Sequence, residues 1–269
     1  MGLAVDEADG EGSGVTERTW VTVQRDARGV AVLTINNPAK LNTLNTPVMT
    51  DLIAAAEELG ADRALRVVVL RGAGDRAFIG GADIGEMAGL DAVSARGFIT
   101  MVHRSCDVFR RLPVPVIARI DGWTLGAGLE VAAACDMRVA ASGARFGMPE
   151  VRVGLPSVVE AALLPGLIGW GRTRLLLLTG ETIDAATAQS WGLVEEVVAA
   201  EQLDAAVERL IEAIQASGPR AVRLQKALIE DWQALAVDAA IQHGIDGFVD
   251  AWASDEPRRM LEAFLHRRR

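Results

Sequence analysis

Apolar residues in the first two thirds of the chain fall in short runs that end in turn residues: Trp20-Val23, Val30-Ile35, Val67-Leu70, Val114-Ile120 and Met137-Ala140. Runs of this length, rich in Val and Ile, predict strands. Between them the apolar spacing changes to that of helices. Thr46 is placed as an N-cap with Pro47 at the first helical position, and Val48, Leu52, Ile53 and Leu59 share one face. Asp91 to Leu112 reads as a second helix, closed by Pro113. Strands alternating with helices predict an α/β core.

After a further strand at Val194-Val198 the pattern turns to helices only: Ala200-Ala216, Arg220-Leu235, Ala239-Trp252 and Pro257-Arg267. All are amphipathic, so each needs a surface for its apolar face, either the same core or a neighbouring subunit. The chain is therefore divided into a disordered N-terminal tail (1–16), a core (17–200) and a C-terminal helical region (201–269).

Composition narrows the classes. The chain has 269 residues, half of them hydrophobic, enough for a large core. Its net charge is -9, with Lys and Arg scattered rather than striped, which argues against a nucleic-acid partner. The tail carries neither a basic segment nor an apolar run and is read as no signal peptide. The longest apolar stretches are interrupted by Glu130, Glu160 and Pro165, so no membrane span is expected. Cys106 and Cys135, each in an apolar stretch, read as reduced core thiols of a cytoplasmic protein.

Three histidines without metal-ligand spacing, no G-x-S-x-G elbow and no tyrosine leave carboxylates and backbone amides as the chemical resources. His103 reads as a packed or solvated helix residue. Gly72-Ala73-Gly74-Asp75-Arg76-Ala77 fits a dinucleotide fingerprint, but the chain runs on into Phe78-Ile79-Gly80-Gly81, a poor helix start, so that reading is set aside.

Three segments remain. Ala77 to Ile84 is a glycine-bearing loop after a strand, able to turn an amide toward a ligand. In Asp121 to Glu130, small residues lead into an apolar helix whose first amides are unpaired and partially positive, so that of Ala127 can donate to an oxyanion. In Phe146 to Val151, Glu150 sits among apolar neighbours, where burial is expected to raise its pKa toward neutrality. Glu130 is the only charge between Asp121 and Asp136.

Taken together these segments resemble the enoyl-CoA hydratase/isomerase (crotonase) family. FIGGADIGEM is similar to its F-x-x-G-A-D-I-x-E-M loop, DGWTLGAGLEVAAACDMRVAA to its N-G-x-x-x-G-G-G-x-E-L-x-x-x-C-D segment, and FGMPEVRVGL to F-x-x-P-E-x-x-x-G. NNPAKLNTL, TGETIDAATAQSWGLVEEVV and DEPRRMLEAFLHRR extend the likeness from about Trp20 to the C-terminus. Glu130 and Glu150 are 150 − 130 = 20 residues apart, as in the family's hydratases.

The resemblance implies a spiral of ββα units followed by helices that build trimers, often paired as hexamers. It implies that the amides of Ala82 and Ala127 hold a thioester carbonyl, that Glu130 orients and deprotonates water, and that Glu150 transfers a proton at C2 of a 2-enoyl-CoA. It further implies that Lys40, Leu41, Asp83 and Ile84 lie along CoA, which is part of the substrate, with no metal and no other cofactor. The alternatives are an isomerase, another acyl-CoA lyase or hydrolase of the family, or a non-catalytic CoA-binding protein.

Two departures stand out. Gly154-Leu-Pro-Ser-Val-Val-Glu-Ala-Ala-Leu-Leu-Pro165 replaces the glycine-rich loop that borders the catalytic water in many hydratases, which predicts a reshaped acyl pocket, and Gly85 stands where some relatives carry a lysine. Within the replaced loop, Ser157 and Glu160 have S-x-x-E spacing, so they are expected to form a capping box, with an acyl-pocket or catalytic role for Glu160 as the alternative.

Overall fold

The computed structural model describes residues 14–267. Its strands are β1 (Gly14–Glu17), β2 (Val21–Arg25), β3 (Val30–Ile35), β4 (Val67–Gly72), β5 (Ala77–Ile79), β6 (Val116–Ile120), β7 (Trp123–Leu125), β8 (Met137–Ala141), β9 (Arg145–Gly147), β10 (Thr182–Asp184) and β11 (Glu196–Val198). The helices are α1 (Thr46–Ala61), α2 (Ile84–Met87), α3 (Ala92–Arg111), α4 (Ala127–Ala134), α5 (Leu164–Thr179), α6 (Ala185–Trp191), α7 (Leu203–Gln215), α8 (Pro219–Ala234), α9 (Val237–Ala251) and α10 (Glu256–Arg267).

Two sheets organise the core. The larger has the order β1-β2-β3-β4-β6-β8-β11 and is parallel from β3 onward, while the smaller runs β10-β9-β7-β5. Each pair β4/β5, β6/β7 and β8/β9 gives its first strand to the large sheet and its second to the small one. The chain thus winds as a spiral of strand pairs, with the small sheet carrying the segments read above as chemical.

Strand β4 is buried on both faces, as a central parallel strand should be. Val68 and Leu70 face the main core with α1, α3 and α4, whereas Val67 and Val69 face Leu203, Val207 and Ile211 of α7. The first helix of the C-terminal region thus packs on the same core: α7 covers the back of the sheet. Lys226 of α8, buried, binds the Asp136 carboxylate at 2.7 Å and the Phe109 and Val114 carbonyls at 3.0 Å, fastening that helix to the core. Beyond it, Ile241, Ile245, Phe248 and Trp252 of α9 and its end, and Leu261, Phe264 and Leu265 of α10, are exposed.

Several expectations shift. The N-cap of α1 is Asn45, whose side chain accepts from the Val48 amide at 2.9 Å, so Thr46 is the first helical residue. Residues 14–16 of the expected tail belong to β1, which pairs with β2, and the rest of the tail lies outside the described residues. Both cysteines are free and buried. Among the described residues no helix is long and apolar enough to cross a membrane.

Candidate active site

The dinucleotide-like stretch after β4 opens no helix; it leads into β5. Asn42, fully buried, ties that turn down: its Nδ2 donates to the Ala73 carbonyl at 3.0 Å and the Ala77 carbonyl at 2.8 Å. Downstream, Leu44 forms a parallel bridge with Ala82, in which the Gly81 carbonyl accepts from the Leu44 amide and the Asp83 amide donates to the Leu44 carbonyl. A bridge of this kind uses the groups flanking Ala82, so the Ala82 amide points to the opposite side. Ala82 is also one of the residues that line a cavity.

The cavity measures about 870 Å³ and is lined mainly by apolar groups of α3 and of the 149–158 segment. Gly81, Ala82 and Ala127 meet there with Glu130 and Glu150. Ala127 opens α4, whose first turn is tight: the Gly126 carbonyl accepts from the Leu129 and Glu130 amides, leaving those of Ala127 and Gly128 without an intrahelical partner. Two glycines make the geometry possible. A Cβ on Gly128 would lie 2.1 Å from the Ile79 carbonyl oxygen, so only glycine lets α4 rest on β5, and Gly126, at φ +51°, has the Glu150 carboxylate directly over its Cα.

The two carboxylates differ in setting. Glu130 is 4% exposed, and its pKa is pushed up to about 8, chiefly by burial and next by the negative charge of Glu150, against the pull of the Ala161 and Val158 amides. Burial thus falls on Glu130 rather than on Glu150, which is half-buried because it sits in the short 3-10 turn Pro149–Val153 at the cavity wall. The Ser157 hydroxyl donates to Glu150 Oε2 at 2.7 Å and fixes that carboxylate.

That bond overturns the capping box. The 3-10 turn Val159–Leu163 starts at Val158 without any side-chain cap, and Val159 has φ +41°, a left-handed conformation unusual for a β-branched residue. The turn carries Ser157 away from the helix end and toward Glu150. Glu160 instead points at α3, where its Oε1 lies 2.7 Å from His103 Nδ1. Leu155, Pro156, Ser157 and Val158 line the cavity, so the segment that departs from the family pattern borders it.

Ile84, largely exposed, is on the cavity rim. Asp83 caps α2 by accepting from the Glu86 amide at 2.9 Å, and this amide, helped by the charge of Lys40 and opposed by burial, holds its pKa below the usual carboxylate range. Lys40 Nζ stands 3.5 Å from Asp83, and the Leu41 carbonyl accepts from the Gly80 amide at 2.8 Å. Of the four residues read as CoA contacts, Ile84 lines the cavity, while Lys40 and Asp83 stand next to each other and Leu41 is tied to cavity-lining Gly80. The sequence reading gives Asn42 no role and offers Ser157 and Glu160 as a cap or acyl-pocket pair, but it contains neither the Asn42 tie, nor the Ser157–Glu150 bond, nor the Glu160–His103 contact. The partners in these contacts lie 31 to 35, 7 and 57 residues away, beyond the reach of a local motif.

Comparison with known proteins agrees on one family. The model of the enoyl-CoA hydratase/isomerase family matches residues 25–269. A crotonyl-CoA hydratase of Syntrophomonas wolfei is 36% identical over 241 residues, 89% of this chain and 93% of that protein. A short-chain-enoyl-CoA hydratase of Clostridium acetobutylicum is 34% identical over 244 residues, 89% of this chain and 92% of its own. The crystal structure of an enoyl-CoA hydratase from Mycobacterium smegmatis superposes with a TM-score of 0.90 at 31% identity, covering 94% of this chain and 98% of the other.

Proposed function

The chain belongs to the enoyl-CoA hydratase/isomerase family, with the crotonase-like α/β fold and its C-terminal helices, and on that premise we propose that it adds water across the 2,3 double bond of a 2-enoyl-CoA thioester using Glu130, Glu150 and the amides of Ala82 and Ala127. What supports this reading is that Ala82, Ala127, Glu130 and Glu150 all line one largely apolar cavity. Negative charge develops on the thioester oxygen as the nucleophile reaches C3, and two preoriented N–H groups stabilise it there.

The two carboxyl groups share one proton, since their proximity in a poorly solvated site opposes double ionisation. Hydration runs from the form of the pair in which the shared proton rests on Glu150: Glu130 then takes a proton from the attacking water while Glu150 gives one to C2. The hydroxyl ends on C3, the hydrogen on C2, and the proton of the pair on Glu130. Dehydration runs the same steps backward. CoA enters as part of the substrate along Lys40, Leu41, Asp83 and Ile84, and no other cofactor takes part.

A panel of 2-enoyl-CoA thioesters, followed by loss of the conjugated chromophore, tests the reaction. Crotonyl-CoA and longer linear chains should be turned over, given the apolar wall of α3. Shift of a 3-enoyl-CoA double bond without hydration would favour an isomerase instead. The exposed apolar faces of α9 and α10 support assembly into the trimer or hexamer common to the family. Sedimentation velocity reads this directly, and a monomer at micromolar concentration counts against it.

A further inference from the structure

Ser157 belongs to the segment that departs from the family pattern, and its hydroxyl lies 2.7 Å from Glu150 Oε2, the one hydrogen-bond partner it has among the described residues. The loop between the two is closed a second time, because the Glu150 carbonyl accepts from the Leu155 amide at 3.1 Å. Beyond Ser157 the chain turns away through Val159, left-handed at φ +41°, and Glu160 Oε1 lies 2.7 Å from His103 Nδ1 on α3. The segment is thus tied on both sides of Ser157, which holds the hydroxyl toward Glu150. The other carboxylate oxygen is placed as closely: Oε1 stands over Gly126, the N-cap of α4, 2.3 Å from where a Cβ would be. The two oxygens of Glu150 are therefore not equivalent. Oε2 faces a donor in the cavity wall, whereas Oε1 lies at the start of α4, where the thioester carbonyl is proposed to be held.

We propose that Ser157 is a positioning residue of the hydration reaction, which keeps Glu150 Oε2 occupied so that Oε1 carries the proton given to C2. The inference rests on the proposed hydration, in which Glu150 is the proton donor at C2. With the proton on Oε1, the serine hydrogen keeps its acceptor in Oε2. With the proton on Oε2 the bond must reverse, and the serine hydrogen then has no acceptor among the described residues. One hydrogen bond therefore favours the Oε1 form. In the step itself the Oε1–H bond breaks and its electron pair stays on Oε1, while the C–H bond at C2 forms from the π pair of the enolate. The charge that Glu150 acquires is met by the Ser157 hydroxyl at Oε2, a bond that strengthens once its acceptor is ionised. Dehydration uses the same arrangement in reverse, with Oε1 accepting the C2 proton. Ser157 acts only through Glu150.

The test uses the full chain, with hydration of crotonyl-CoA and dehydration of 3-hydroxybutyryl-CoA, unlabelled or deuterated at C2. Ser157→Ala should lower kcat about tenfold with KM unchanged, the weight of one hydrogen bond to a charged group, and Ser157→Thr, which keeps a hydroxyl, should restore it. Ser157→Cys, of similar size but a weak donor, should fall between. The C2 isotope effect on dehydration separates positioning from a structural role. It should rise in Ser157→Ala, because transfer at C2 is the step that has been slowed, and return to the wild-type value in Ser157→Thr. Wild-type kcat in Ser157→Ala, a loss that Ser157→Thr leaves in place, or an isotope effect that does not move overturns the assignment. Where Ser157→Ala fails to fold, Ser157→Cys is read in the same way. Each of these failures leaves Glu150→Gln inactive, whereas turnover in Glu150→Gln refutes the hydration reading itself.

Discussion

Glu130→Gln and Glu150→Gln are each expected to lower hydration of crotonyl-CoA by at least ~100-fold, the usual weight of a positioned acid or base, while binding of CoA esters persists. The amide has the carboxyl's shape but can neither take nor release the proton in question. Steady-state kinetics with a parallel binding titration checks this, and near-wild-type turnover in either variant rejects the paired mechanism. Stability should move the other way for Glu130→Gln. Burial raises the Glu130 pKa from 4.5 to about 8 in the fold. The group's stabilising contribution is therefore complete below about 4.5 and is lost as pH rises through about 8. The glutamine variant escapes that loss, so its melting temperature should exceed that of the wild type at pH above about 8 and approach it in acid. The same titration removes the last proton of the pair, so wild-type kcat/KM should fall above about pH 8, and a profile flat beyond that point would separate Glu130 from the chemistry.

The sequence makes the motif residues visible because each carries a local reason: a strand end, a run of small residues, a helix start, a charge in an apolar stretch. The long strands β3, β4 and β6 and the helices α1 and α3 are likewise legible from period and punctuation. The small sheet is not. Strands β5, β7, β9 and β10 have three residues each, too few to show alternation, and they exist because β7 pairs with its neighbours β5 and β9 and because β9 is bordered by β10. The S-x-x-E spacing misleads for a related reason. Capping needs an extended cap followed by helix, whereas Val159, the first residue of the turn, is left-handed. The two side chains then part, Ser157 to Glu150 and Glu160 to His103, pairings that only the tertiary fold creates. The change of fate converts a supposed helix cap into one group that binds Glu150 and another that meets His103.

Gly126→Ala should cost ~100-fold in turnover while leaving a folded protein, and it probes the amide and the carboxylate at once. Gly126 has φ +51° and ψ −122°, a combination costly for any residue with a Cβ. That Cβ would also stand 2.3 Å from Glu150 Oε1, so the carboxylate has to swing away from its Ser157 partner. Relaxing the backbone instead rotates the Gly126–Ala127 peptide and takes the Ala127 amide off the carbonyl it is proposed to hold. Either path displaces a reacting group by about an ångström, and misplacement on that scale costs on the order of 100-fold. The strain should lower stability by only about 1–3 kcal/mol, because the clash meets the free end of a side chain. Gly128→Ala provides the contrast, since its Cβ would strike the Ile79 backbone at 2.1 Å, where nothing can yield without separating α4 from β5. Thermal melts and crotonyl-CoA kinetics on both variants decide the matter. Full activity in Gly126→Ala would show that neither the Ala127 amide nor the seated Glu150 is needed for turnover.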